Sequence, residues 1–153
     1  MTDTFQIAVI PGDGIGTEVT EATLAVLNAV QRRINGYHLS YTKLMAGAAY
    51  YRDTGKDIEA SAELRAGQAD AIYLGAIGLP TVRASDGTEI APHLRLREQF
   101  ELYAGLRPVR AYTGAPLALS DSRAKALDLI IIRESTEGLF YTAAVHNLSL
   151  IHI

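Results

Sequence analysis

A chain of 153 residues, 48% hydrophobic and 20% charged, is long enough to bury one apolar core. Its net charge of -3 offers no electrostatic attraction for nucleic acid or an anionic membrane surface, and the absence of cysteine excludes disulfides and thiolate metal sites. The N-terminus, Met-Thr-Asp-Thr-Phe-Gln, has neither a basic nor an apolar leader region, and no apolar run is long enough to span a bilayer; the composition therefore points to a cytoplasmic α/β protein binding neither nucleic acid nor membrane.

Phe5 to Ile10 reads as a buried strand that runs into Pro11-Gly-Asp-Gly-Ile-Gly16. In the helix that follows, Ile15, Val19, Ala22, Thr23, Val26, Leu27, Val30 and Ile34 recur at helical spacing as one apolar stripe, and Asn35-Gly36 stops it. Tyr37 to Leu44 alternates as a second strand. Gly47 to Arg52 reads as a short helix ended by Asp53-Thr-Gly55, and Glu59 to Gly67 as another, with Ala60, Leu64 and Ala66 facing inward. Asp70 to Ile77 is a third strand ending in a second glycine turn, Gly75-Ala-Ile-Gly78. Alternating strands and helices with short connections imply a parallel sheet covered by helices, which turns the loops after the first and third strands toward one edge. A polar loop (Thr81 to Thr88), a helix (Pro92 to Tyr103) and two strands (Gly105 to Tyr112, Leu127 to Ile132) complete the pattern.

Gly12, Gly14 and Gly16 are spaced G-x-G-x-G, whereas a Rossmann turn needs G-x-G-x-x-G to set pyrophosphate on the helix N-terminus, so the turn is not a Rossmann cradle. Asp13, inside that turn, is explained by hydrogen bonds from local backbone N–H groups rather than by a metal or base role. Asp70 and Asp121 read as cap or turn residues, and His38, His146 and His152 lack paired ligand spacing, so no metal ligand is assigned.

Three arginines stand out by context. Arg97 and Arg107 lie in Leu96-Arg-Glu-Gln-Phe-Glu-Leu-Tyr-Ala-Gly-Leu-Arg-Pro108, and Arg133 opens Arg-Glu-Ser-Thr-Glu-Gly138. A guanidinium at a strand end beside a cleft is a carboxylate clamp, because its rigid fork of donors matches two oxygens. Any one alone suits a surface ion pair with Glu98, Glu101 or Glu134; together they imply a substrate with more than one carboxylate.

With those residues in view, the chain resembles the β-decarboxylating dehydrogenases of 3-isopropylmalate, isocitrate and tartrate over residues 5 to 147. The anchors are Ile10-Pro-Gly-Asp-Gly-Ile-Gly-Thr-Glu-Val19, Gly75-Ala-Ile-Gly78, Leu96-Arg97 with Leu106-Arg-Pro108, and Ile131-Ile-Arg-Glu-Ser-Thr-Glu-Gly138. The resemblance implies an isopropylmalate-dehydrogenase-like α/β fold, a non-Rossmann parallel sheet with flanking helices, represented incompletely. Residues 1–102 would be the N-terminal part of the first, cofactor-side domain and 103–147 the start of the second. Residues 148–153, Leu-Ser-Leu-Ile-His-Ile, match the in-frame translation of a transposon-type sequencing adapter, CTG TCT CTT ATA CAC ATC, so the natural gene is expected to continue past Asn147.

The same resemblance implies roles. Arg97, Arg107 and Arg133 would hold the carboxylates of a 2-hydroxy diacid, and Gly75, Ala76, Ile77, Gly78 and Ile90 would lie along NAD or NADP. Mg²⁺ or Mn²⁺, with ligands outside this chain, would stabilise the charge that develops as carbon dioxide departs. The family's tyrosine position falls on Phe140; Tyr141, one residue later, either takes the proton-donor role through a shifted loop or is a half-buried aromatic. Thr17 replaces a helix-opening proline, a harmless change because threonine suits a helix start. Ile90, His93 and Leu94 would set substrate choice, with His93 favouring tartrate- or malate-type substrates over an isopropyl group, or simply standing exposed at a helix start. The parent would be a homodimer whose catalytic lysine comes from the partner subunit. Two other readings stay open: the chain as given is a truncated, non-catalytic fragment, or it is an unrelated phosphate- or nucleotide-binding α/β protein sharing only a glycine turn.

Overall fold

The computed structural model describes residues 3–136, and the chain divides into two compact units, Met1–Leu96 and Arg97–Ile153. The first unit is built from β1 (Asp3–Gly12), α1 (Ile15–Ile34), β2 (Tyr37–Lys43), α2 (Ala48–Thr54), α3 (Ala62–Gly67) and β3 (Ala71–Ala76). The strands form a parallel sheet in the order β2-β1-β3. Successive strand residues point to opposite faces, so the consecutive burial of Ala8, Val9 and Ile10 means that β1 is covered on both sides, as a central parallel strand must be. Leu44, Ala46, Ala48, Ala62, Ala66, Ile90 and Leu96 complete the core. The parallel order brings the carboxyl ends of β1 and β3 side by side, with Gly12 in register with Ala76.

Helix α1 has the expected bounds but not the expected face. Gly16 and Thr20 are buried, and Thr23, Leu24 and Leu27 are half-buried. Of the sequence-derived stripe, Ile15, Val26 and Ile34 are 66%, 61% and 62% exposed. The rotation follows from contact distance. The glycine at position 16 lets the first turn press its backbone against the sheet, and the side chains that follow on that same face are the ones covered. Helix α3 is shorter than predicted because Ser61 takes a left-handed conformation (φ 63°), which a right-handed helical run cannot contain. Its inward residues are Ala62 and Ala66; Leu64 is 64% exposed and Ala60 is exposed.

Helix α4 (Pro92–Gln99) begins with a proline, which suits the first helical position because its missing N–H would be unpaired there anyway. It ends earlier than the predicted Tyr103. Glu101 adopts φ 49° while Leu102 N–H bonds to Arg97 O (2.9 Å) and Glu101 N–H to Glu98 O (3.1 Å). This is a Schellman closure with glutamate where glycine is usual, which is why residue type did not signal it. In the second unit β4 (Ala104–Arg110) and β5 (Asp128–Glu134) pair as an antiparallel ribbon. The 3₁₀ turn at Ser122–Ala126 before β5 is capped by Asp121, whose carboxylate accepts Arg123 N–H (2.8 Å), in keeping with the cap reading.

Candidate functional site

The two glycine turns meet at the carboxyl edge of the parallel sheet. A Cβ on Gly12 would strike Ala76 O; on Gly75 it would strike Pro11 O and lie 2.9 Å from Thr20 Oγ1; on Gly16 it would strike Pro11 O and lie 2.7 Å from Ala76 O. These glycines are therefore places where β1, α1 and β3 touch main chain to main chain. Thr20 Oγ1, facing the same junction, satisfies itself by donating to Gly16 O (2.6 Å).

Asp13 joins the turns. The residue is 3% exposed. Its Oδ2 accepts the N–H groups of Ala48 and Gly78, both at 2.8 Å, and Oδ1 accepts Ala49 N–H at 2.7 Å. Its own N–H donates to Ala76 O and its carbonyl accepts Gly16 N–H. The sequence expectation of backbone N–H partners holds, but the expectation that they are local does not: they come from 35, 36 and 65 residues away. A buried carboxylate left without such donors would cost several kcal/mol, and each charge-assisted bond contributes on the order of 1.5–3 kcal/mol. Asp70 is likewise long-range, its carboxylate accepting Gln6 N–H at 2.7 Å.

The loop after β3 leaves one face open. Gly75 and Ile77 are half-buried, Ala76 and Gly78 exposed, and Ile90 buried. Gly78 has φ 118°, and no atom lies within 4 Å of where its Cβ would stand. An exposed main-chain edge with no side chain in the way fits a flat cofactor laid against backbone.

The arginines belong to two elements types. Arg97 is half-buried on the last turn of α4, and His93 (half-buried) and Leu94 (53% exposed) stand four and three residues before it, on the same helix face. On the ribbon, Gly105 is opposite Arg133 and Arg107 is opposite Ile131. Opposed residues and residues two apart share a face, so Arg107 and Arg133 lie diagonally on one face. Gly105 leaves the space beside Arg133 without a competing side chain, an arrangement that the sequence did not disclose because it depends on register. Arg95, which sequence reasoning passed over, fastens α4: its guanidinium meets Asp57 at 2.8 Å and Glu63 at 2.6 Å. The Asp57 hydrogen bond, then that of Glu63, hold its pKa above the ordinary value against an opposing effect of partial burial.

Phe140, Tyr141, His146 and the segment 148–153 lie outside the described residues. Among the described residues, no group of three or more His, Asp or Glu side chains is placed to hold a metal ion, and no helix is long and apolar enough to cross a membrane.

Comparison with known proteins supports the same frame. The sequence profile of the family described as isocitrate/isopropylmalate dehydrogenase matches residues 6–148. The chain is 44% identical over 135 residues to a 3-isopropylmalate dehydrogenase of Thermobifida fusca, covering 88% of this chain and 38% of that protein. It is 37% identical over 139 residues to a decarboxylating D-malate dehydrogenase of Escherichia coli, covering 90% and 38%. The crystal structure of isocitrate dehydrogenase from Methylococcus capsulatus superposes with a TM-score of 0.68 at 26% identity, covering 90% of this chain and 36% of that one. The chain thus spans less than two-fifths of the length of these relatives. A match running from the first strand past the third arginine overturns the reading of an unrelated nucleotide-binding protein with a shared glycine turn.

Proposed function

The chain belongs to the isocitrate/isopropylmalate dehydrogenase family, and on that premise we propose that it is the N-terminal part of an NAD(P)-dependent oxidoreductase that oxidises a 2-hydroxy diacid of the 3-isopropylmalate, tartrate or isocitrate type with β-decarboxylation. The observation that carries this reading is the ribbon register, which sets Arg107 and Arg133 diagonally on one face. Positions related in this way are about 7–8 Å apart, a separation within which two guanidinium forks can grip the two carboxylates of a short diacid.

A bound nicotinamide would supply the hydride acceptor for C2 of the diacid, and a divalent ion, whose ligands would lie outside the described residues, would supply the Lewis acid for loss of the β-carboxylate as carbon dioxide. Arg97, Arg107 and Arg133 hold the carboxylates by paired N–H donors and so fix which C–H bond faces the cofactor. Gly75 to Gly78 form the main-chain edge on the cofactor side, and Ile90 is the apolar residue proposed to lie along the cofactor with them. Tyr141 donates its phenolic proton to the carbon that loses carbon dioxide. His93 and Leu94, one turn before Arg97, meet the substituent on C3; an imidazole there suits a hydroxyl or hydrogen better than an isopropyl group. The complete enzyme is a cytoplasmic homodimer whose metal ligands lie outside the described residues and whose lysine comes from the partner, and these 153 residues are inert alone.

The test uses the complete gene product with Mg²⁺ or Mn²⁺, NAD or NADP and a panel of 2-hydroxy diacids, reading reduced nicotinamide. Turnover with at least one diacid is expected, and none with any would refute the function. Arg107→Lys and Arg133→Lys should each lower kcat/KM by roughly 10–100-fold, the worth of a lost charge-assisted hydrogen bond; unchanged activity would remove the clamp. Turnover by the 153-residue chain alone would refute its inertness.

A further inference from the structure

Asp13 is the most deeply buried acidic side chain of the first unit, and the chemistry above makes no use of it. Every hydrogen bond that its carboxylate receives comes from a backbone N–H. The carboxylate is therefore committed to holding main chain in place. One oxygen, Oδ2, bridges Ala48 N–H at the start of α2 and Gly78 N–H in the loop after β3, so the position of that loop is coupled to α2 through a single atom. The neighbouring chain is shaped to allow this: a Cβ on Gly47 would come within 2.5 Å of Oδ2. Gly78, the residue held, is also the residue whose outer face is open.

We propose that Asp13 is a positioning residue for cofactor binding, holding the open Gly78 edge in the conformation that receives the nicotinamide cofactor. The assignment rests on the functional reading above, since it needs the cofactor to lie along Gly75 to Gly78. Asparagine at position 13 would be nearly isosteric but offers one uncharged acceptor oxygen in place of a carboxylate, so whichever way the amide turns, the bond to Gly78 N–H loses its charge assistance or is replaced by an NH₂ group. The Gly78 edge is then held less tightly while the strand beneath it stays paired.

The experiment is Asp13→Asn in the complete enzyme, read three ways. NADH affinity, measured by fluorescence titration without turnover, should weaken about ten-fold while KM for the diacid stays within about two-fold, because the weakened Gly78 bond lies on the cofactor edge and the arginines stand on other elements. Amide hydrogen exchange at Gly78 should accelerate while the β3 amides that pair with β1 remain protected. Unchanged NADH affinity, or equal loss for cofactor and diacid with protection falling throughout β3, would overturn the assignment. Should Asp13→Asn fail to fold, Asp13→Ser, which keeps a single acceptor oxygen on a shorter side chain, must show the same cofactor-selective loss; a uniform loss or none counts against Asp13. A wild-type enzyme that binds no nicotinamide defeats the functional reading and this assignment together. A wild-type enzyme that binds it normally, beside an unaffected Asp13→Asn, defeats this assignment alone.

Discussion

Replacing Gly16 with alanine sets two physical effects against each other. Gly16 lies in the first turn of α1, and helix propensity alone makes Gly→Ala stabilising by up to about 1 kcal/mol. The geometry says the opposite. The new Cβ would strike Pro11 O and stand 2.7 Å from Ala76 O and 2.8 Å from Ala76 N. All three are backbone atoms of paired strands, so no rotamer change relieves them, and α1 must move off the sheet. Overpacking of this kind costs about 1–3 kcal/mol, and the net expectation is a destabilisation of roughly 1–2 kcal/mol once propensity is subtracted. Urea unfolding followed by far-UV circular dichroism should show the midpoint falling by roughly 0.5–1 M. Gly105→Ala is the control: its Cβ would meet nothing closer than Arg133 O at 3.2 Å, and the change should stay within about 0.5 kcal/mol. A Gly16→Ala protein as stable as wild type, or more so, would refute the close-packed junction.

The Tyr41 hydroxyl is buried without a hydrogen-bond partner among the described residues, so Tyr41→Phe should leave stability unchanged or raise it by about 1 kcal/mol; a clear loss in the same urea assay would mean the hydroxyl is satisfied. Burial, then the neighbouring Tyr37, push the Tyr41 phenol above its ordinary 10.0, so the folded state disfavours its ionisation, and the alkaline loss of stability that begins as pH passes that value should shrink in Tyr41→Phe. In the turn of the polar loop, Thr88 Oγ1–H and then Thr88 N–H hold the Asp86 carboxyl below its ordinary 3.8. Its contribution is therefore present above that pH and lost as pH falls through the lower, folded-state value. An NMR titration of Asp86 should show a depressed midpoint that moves back toward 3.8 in Thr88→Val, and an unmoved midpoint would deny the Thr88 hydroxyl its part.

In the glycine turns, Gly12, Gly16 and Gly75 have their missing side chains occupied by neighbouring backbone, so they make the junction rather than the ligand surface. Gly78 alone of the β3 loop glycines keeps open space beside it, and Asp13 ties it down from within. The arginines stand on different elements, and what relates two of them is strand pairing. A glycine motif that at first suggests phosphate binding thus serves mainly to bring two strands and a helix close enough for their edge to be useful.

Much of this protein is legible in the chain itself. Among the described residues, apolar runs, repeat patterns and glycine turns placed the strands and the α-helices, because these are local properties of the chain, though not the 3₁₀ turn at Ser122–Ala126; the G-x-G-x-G spacing pointed away from a Rossmann turn; and motif context singled out Arg97, Arg107 and Arg133 as the residues to place. Tertiary structure decided the rest. The buried face of α1 was set by how closely Gly16 approaches the sheet, so the most apolar stripe in the sequence was not the one covered. The end of α4 was set by a left-handed glutamate that residue type does not announce. The shared face of Arg107 and Arg133 came from the β4–β5 register, and the role of Asp13 from partners up to 65 residues away. Local preference selects which elements form, but contact distance, register and the need to satisfy a buried charge act between segments far apart in sequence, and these come into being only when the chain has closed on itself.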